Sequence, residues 1–275
     1  MSDAVRPAQV GLDRLAGAFG YWPTVALLTG VLVVWEAVIR FFAVPTFVLP
    51  PPSAIAAALV HNQALLSQAA VVSASEIVLG FLLSAVVGVG IALTVVRFAR
   101  FGRALYPLIV LFQTVPKVAL APLFILWFGF DLAPKVLLIV VIAFFPVSLG
   151  MMAGMQSVDP ALVALMRSVG ARRGEILRRV QVPHALPQLM SGLKVAVTLS
   201  VIGAIVGEFA GASAGLGYMI QFASTQLETP LVFAALLEVS VLGVGFYYLV
   251  ELAERRFVPW APQMSGMQAL TVGRP

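Results

Sequence analysis

The sequence predicts an all-α integral membrane protein with six transmembrane helices, and three observations carry that expectation. Of its 275 residues 61% are hydrophobic and only 11% are charged, against roughly 45–50% and about 25% in soluble domains. Mean hydropathy is +1.02, and the chain contains six uninterrupted apolar runs. So few charges cannot cover a water-exposed globule, so the apolar excess faces lipid. The same composition narrows the chemistry. With no Cys there is no disulfide, thiolate metal site or cysteine nucleophile, and the two histidines, His61 and His184, cannot build a multi-His site. Neither His lies near a plausible nucleophile, so no catalytic, cofactor-binding or metal residue is expected and the chain does not read as an enzyme. The sequence pI near 10 would suggest nucleic acid in a soluble protein. Here the basic residues sit in short loops between apolar runs, a pattern of membrane orientation.

The first run, Trp22–Ala43, follows a tail with Arg6 and Arg14. It exceeds the ~7–15 apolar residues of a secretory signal and reaches about 33 Å at ~1.5 Å per residue, enough to span. The next expected spans are Ala69–Val96, Ala104–Phe130, Leu132–Met155, Ser191–Gly211 and Leu231–Leu252. Pro107, Pro116 and Pro122 should kink the third, and only a tight turn at Gly129, Asp131 and Pro134 separates it from the fourth. An even number of spans puts both termini on one side. Arg6, Arg14, Arg97, Arg100, Arg103, Arg167, Arg172, Arg173, Arg178, Arg179, Arg255, Arg256 and Arg274 alternate to that side, 13 of the 17 basic residues. The opposite side has only Arg40 and Lys135, so the termini are expected in the cytoplasm.

The expected organisation is a cytoplasmic tail (1–21), a first helix with an external Pro-rich segment (22–68), a five-helix core (69–253) and a second cytoplasmic tail (254–275). In the external segment Pro45, Pro50, Pro51 and Pro52 enforce extended backbone, and Ser53 is placed to cap a short helix from Ala54 towards His61. In the other external loop, Gly215-Leu216-Gly217 before Tyr218 reads as a turn into a surface helix.

One long cytoplasmic insertion, residues 156–190, holds five Arg. Asp159-Pro160 is a helix start, Leu162, Leu165, Met166 and Val169 follow at i, i+3, i+4, i+7, and Gly170 falls where a helix would end. A second helix, Arg172–Val182, should stop at Pro183. Such a unit either lies on anionic lipid or presents its apolar stripe to a groove in a partner.

The spacing here resembles that of the permease subunits of binding-protein-dependent ABC importers. Their loop signature reads Glu-Ala-Ala, three residues, Gly, nine residues, Ile, one residue, Leu-Pro. This chain has Ala164-Leu165-Met166, Arg167-Ser168-Val169, Gly170, nine residues to Arg179, Val180, Gln181 and Val182-Pro183. Spacing, Gly and Pro match, while Ala164 stands where the family's acid usually does. Leu49-Pro50 with Pro52-Ser53, Pro116-Lys117 with Ala119 and Pro122, Trp127-Phe128-Gly129, Glu208 with Gly215-Leu216-Gly217-Tyr218, and Glu254-Arg255-Arg256 with Pro259-Trp260 are similar to the nitrate, sulfonate and taurine branch. The likeness covers about Phe47–Trp260. It implies an importer permease paired with a second permease copy, two cytoplasmic ATPase subunits and an external substrate-binding protein. The ATPases would dock through Asp159, Leu162, Leu165, Met166, Arg167, Gly170, Val180 and Pro183. No Gly precedes Lys117, Lys135 or Lys194, so the chain has no P-loop, and ATP and Mg belong to the partner.

Charges at bilayer depth are expensive, ~2.5–3.5 kcal/mol at a helix centre. Glu36 and Arg40 are spaced to neutralise one another. Glu76, Lys117, Glu208 and Glu238 lack a local partner and are candidates either for inter-helix pairs or for the translocation path; Lys117, as the deep cation, is expected to pair with one of the three acids. Gly203, Gly207 and Gly211 recur every four residues, a stripe for close helix packing or for the border of the path. The rival reading is an ion- or proton-coupled secondary transporter or channel that uses these charges as a relay.

Overall fold

The computed structural model describes residues 22–98, 107 and 111–260. The tail with Arg6 and Arg14, the loop arginines Arg100 and Arg103, part of the third expected span and Arg274 lie outside them. Among the described residues the chain is helical throughout, and five helices are long and apolar enough to cross a bilayer. They are α1 (Trp22–Phe41), α3 (Gln63–Arg97), α5 (Leu132–Gln156), α8 (Val182–Gly211) and α10 (Thr229–Phe257). Shorter helices are α2 (Pro52–His61), α4 (Ala121–Phe128), α6 (Pro160–Ser168), α7 (Arg173–Ile176) and α9 (Leu216–Thr225).

The chain forms two compact units. In the smaller, which takes in the described residues up to Gln63 with Ala223–Ala234, α1 and α2 are joined by a polar clasp. Glu36 and Arg40 form the expected i,i+4 pair at 2.6 Å. Ser53 is not the cap expected of it. Its N–H and hydroxyl both donate to the Glu36 carboxylate, at 3.0 and 2.7 Å. The cap of α2 is therefore a carboxylate supplied by the preceding spanning helix, which takes up a first-turn N–H that α2 itself cannot satisfy. Elsewhere in this unit the Thr229 hydroxyl donates to the Phe47 carbonyl at 2.6 Å, and the rings of Trp35 and Phe233 lie 6.0 Å apart.

The larger unit, Ala64–Phe222 with Ala235–Pro275, is built on α5 against α8. Glycines allow these two backbones to touch. A Cβ on Gly192 would lie 2.5 Å from the Pro146 carbonyl, one on Gly150 2.5 Å from the Gln188 carbonyl, and one on Gly154 2.6 Å from Ala185 Cα. Further along α8, Gly203 faces Ile139 and Gly207 faces Lys135 at 3.2–3.3 Å, so this part of the four-residue stripe packs onto α5. The helix α3 joins from the other side, with Gly88 against the Phe144 carbonyl and the Ser148 hydroxyl donating to the Gly88 carbonyl at 3.0 Å. Small residues at each crossing fit a bilayer, where packing rather than water expulsion holds helices together. Ala143, Val147, Met151, Met155, Ala185 and Ala196 fill the centre.

Two expected elements differ. The third span is not a kinked helix. Its described part is helical at 111–114, breaks at Val115-Pro116, makes one 3₁₀ turn over Lys117–Leu120 and restarts as α4. Pro116 lacks an N–H and its ring excludes helical backbone at Val115, so the chain breaks rather than bends. Conversely, the helix expected to stop at Pro183 continues, and Arg173–Gly211 runs as one 39-residue stretch. A π turn at Leu177–Gln181 shifts the bonding register just ahead of Pro183, which places the ring in the first turn of α8.

Candidate functional site

Four side chains from three helices meet in the core of the larger unit. Glu76, Glu208 and Ser73 are 0–1% exposed and Lys135 is 8% exposed. Lys135 Nζ stands 2.5 Å from Glu76 Oε1. The Ser73 hydroxyl donates to Glu208 Oε1 at 2.6 Å and accepts from the Leu216 N–H at 2.8 Å. Glu208 Oε2 accepts from the Gly217 N–H. The first two N–H groups of α9 are thus satisfied by α3 and α8, and a carboxylate sits at the positive end of α9. Gly215, at φ +112°, lies so close that a Cβ there would overlap the Glu208 carboxyl. The residues from Glu208 to Gly217 act as one motif, an acid and a glycine turn folded onto each other. The expected surface helix is also partly a core helix, since Leu216, Ile220 and Ala223 are buried.

This arrangement corrects the charge assignment. Lys135, expected at the outer surface, is the buried cation. Lys117 pairs with none of Glu76, Glu208 and Glu238; it is half-buried and bonds to Gln113 Oε1, four residues earlier. Glu238 is half-buried on α10 and makes no ion pair or hydrogen bond among the described residues. Sequence reasoning missed Lys135 and Ser73, although one signal was available. A lysine in the first turn of a helix opposes the dipole, so a buried acid elsewhere was called for. A further pair, Lys194 to Glu254 at 2.5 Å, ties α8 to α10.

Lys117 and Gln113 open instead onto a cavity of about 700 Å³ between the broken third segment, α5 and α8, with Phe145, Gln188 and Ser191 on its walls. Gln188 Oε1 is buried there without a hydrogen-bond partner. A buried unpartnered amide oxygen costs free energy.

At the other functional region, Asp159 Oδ1 accepts from the Ala161 N–H at 2.7 Å and caps α6. Gly170, at φ +84°, closes α6. Its N–H bonds to the Arg167 carbonyl, and that of Ala171 to the Met166 carbonyl, both at 3.0 Å, the paired bonds of a Schellman cap. Arg172 N–H then bonds to Glu175 Oε2 at 2.8 Å and starts α7. Leu162, Leu165 and Val169 are 43%, 60% and 72% exposed, and no residue of α6 is buried. Met166, Val180 and Pro183 are half-buried.

A chain that is helical among its described residues, with five helices long and apolar enough to cross a bilayer and an exposed helix–Gly–helix loop, has the architecture of a multi-pass membrane protein. Residues 80–259 match the family described as binding-protein-dependent transport system inner membrane component, and the chain belongs to that family. Its relatives include the formylaminopyrimidine transport permease protein ThiX of Halalkalibacterium halodurans, 36% identical over 86% of this chain and 95% of that one. A putative aliphatic sulfonates transport permease protein, SsuC of Bacillus subtilis, is 32% identical over 90% and 91%. Among solved structures the fold is similar to a chain of the inward-facing MetNI methionine ABC transporter, with TM-score 0.64, 17% identity and coverage of 72% and 98%.

Proposed function

We propose that two copies of this chain form the membrane pathway of an ATP-driven importer, which takes a small solute from an external binding protein and is driven by two ATPase subunits docked at the loop around Gly170. The observation that carries this reading is α6. It is capped at both ends, rigidly turned at Gly170, and turns an apolar stripe to the outside that no described residue covers. A short preformed amphipathic helix of this kind fits a groove in a soluble partner. ATP closure of the ATPase pair would pull α6, and the continuous Arg173–Gly211 stretch would carry that motion to the core. Alternating access then requires that the solute bind the two states unequally. The relay of the rival secondary transporter is disfavoured, because Glu76 and Glu208 are held by Lys135, Ser73 and Gly217.

The solute's route in this reading runs along the cavity of Gln113, Lys117, Gln188 and Ser191.

The test is Leu165→Glu, which places a charge on the exposed stripe without disturbing a buried contact. The chain should insert and fold normally, and its ATPase subunit should no longer co-purify. Co-purification at the unmodified stoichiometry would overturn the docking assignment.

A further inference from the structure

Three arginines from three separate elements converge where α3 ends. Arg97 is the last residue of α3, Arg167 lies in the last turn of α6, and Arg173 opens α7. Together they line a notch of about 260 Å³. Like charges gathered around one hollow repel unless an anion lies among them. The insertion's own two acids do not serve. Asp159 is spent on the Ala161 N–H and Glu175 on the Arg172 N–H, and no ion pair among the described residues involves any of the three arginines.

The rest of the notch narrows the kind of anion. Its floor is apolar, made by Val163, Ile176 and Leu177, with Gln181 as a neutral polar group. Leu177 and Gln181 are the first and last residues of the π turn, and such turns are often found at functional sites. Cations above apolar surface, at the end of a spanning helix, sit at the depth where a phospholipid places its phosphate.

We propose that this notch binds the phosphate group of an anionic phospholipid. A seated headgroup would neutralise the three guanidiniums and tie α3 to α6 and α7. If α6 is the docking helix argued above, the lipid would thereby set how firmly the docking unit is coupled to the core; the binding itself does not depend on that reading.

The test uses the full chain in phosphatidylcholine nanodiscs doped with phosphatidylglycerol, with retained phosphatidylglycerol measured by native mass spectrometry. Each Arg→Gln change should weaken retention about fivefold, and R97Q/R167Q/R173Q roughly a hundredfold. R178Q/R179Q, which lies outside the notch on the same insertion, should leave it unchanged, and millimolar inorganic phosphate should not compete. Unchanged retention in the triple variant, equal loss in both variants, or displacement by inorganic phosphate would each overturn the lipid site. Loss of the ATPase subunit from the triple variant with phosphatidylglycerol fully retained would overturn it too, and would assign the arginines to carboxylates of that subunit.

Discussion

Lys135 shows how one residue changes meaning once its neighbours are known. Lys135 pairs with the buried Glu76, while Glu208 is held by Ser73 and the Gly217 N–H, so removing Lys135 would leave the Glu76 carboxylate without its cation in a dry core. Breaking a buried pair from one side costs roughly 3–5 kcal/mol. Lys135→Met should therefore lower the melting temperature in detergent sharply, and Glu76→Gln added to it should recover part of the loss. Lys117→Met should differ in kind, because a half-buried lysine bonded to Gln113 holds no second helix in place; a shift of under about 1 kcal/mol is expected. A melting curve for Lys117→Met that falls as far as that of Lys135→Met would refute this ordering. Membrane burial of Glu76 and Glu208 was legible in the sequence because an acid in an apolar run must face inward. Its partner left only the weak signal of a lysine in the first turn of a helix, since Lys135 stands beside Asp131 at the edge of a run and pairing across 59 residues leaves no periodic trace.

At the scale of elements, the sequence showed clearly those features that depend on neighbouring residues. Asp159-Pro160 and Gly170 bounded α6 as read, because caps are local. The helices α2 and α9 are present as read, but what holds their first turns was not: each receives at its second residue, Ser53 and Gly217, a carboxylate from a preceding spanning helix, Glu36 and Glu208. A distant cap cannot be recognised from the residues just before the helix. The crossing of α5 and α8 has the same character. Its closest approaches are at Gly150, Gly154 and Gly192, while the visible four-residue stripe starts only at Gly203. Gly192→Ala would drive a methyl group into the Pro146 carbonyl, and overpacking of this kind costs about 1–3 kcal/mol. Gly245→Ala, with nothing within 4 Å of the added Cβ, should instead stabilise the helix by about 0.5–1 kcal/mol. Opposite signs in paired thermal melts are the expected outcome, and a destabilised Gly245→Ala would show that its face is covered in the assembled protein.

For the whole molecule, the side of the membrane on which each loop lies decides which of the two can meet an ATPase. The argument for orientation is the charge asymmetry, in which the sequence assigns 13 of 17 basic residues to one side, because basic loops are retained in the cytoplasm. The absence of Cys gives an introduced thiol no background. Gln63 and Ala164 are both exposed, and they lie on the two loops assigned to opposite faces. Gln63→Cys should react with an impermeant maleimide in cells whose inner membrane is intact, and Ala164→Cys only after permeabilisation. The reverse pattern would place α6 and the three-arginine notch outside, where no ATP is available, and would remove the docking reading as a whole. If the expected pattern holds, the same Ala164→Cys gives a second reading. Co-expression of the ATPase subunit should protect the thiol after permeabilisation, because the partner's groove would cover α6, while a thiol at Gln63 should label at the same rate with or without it.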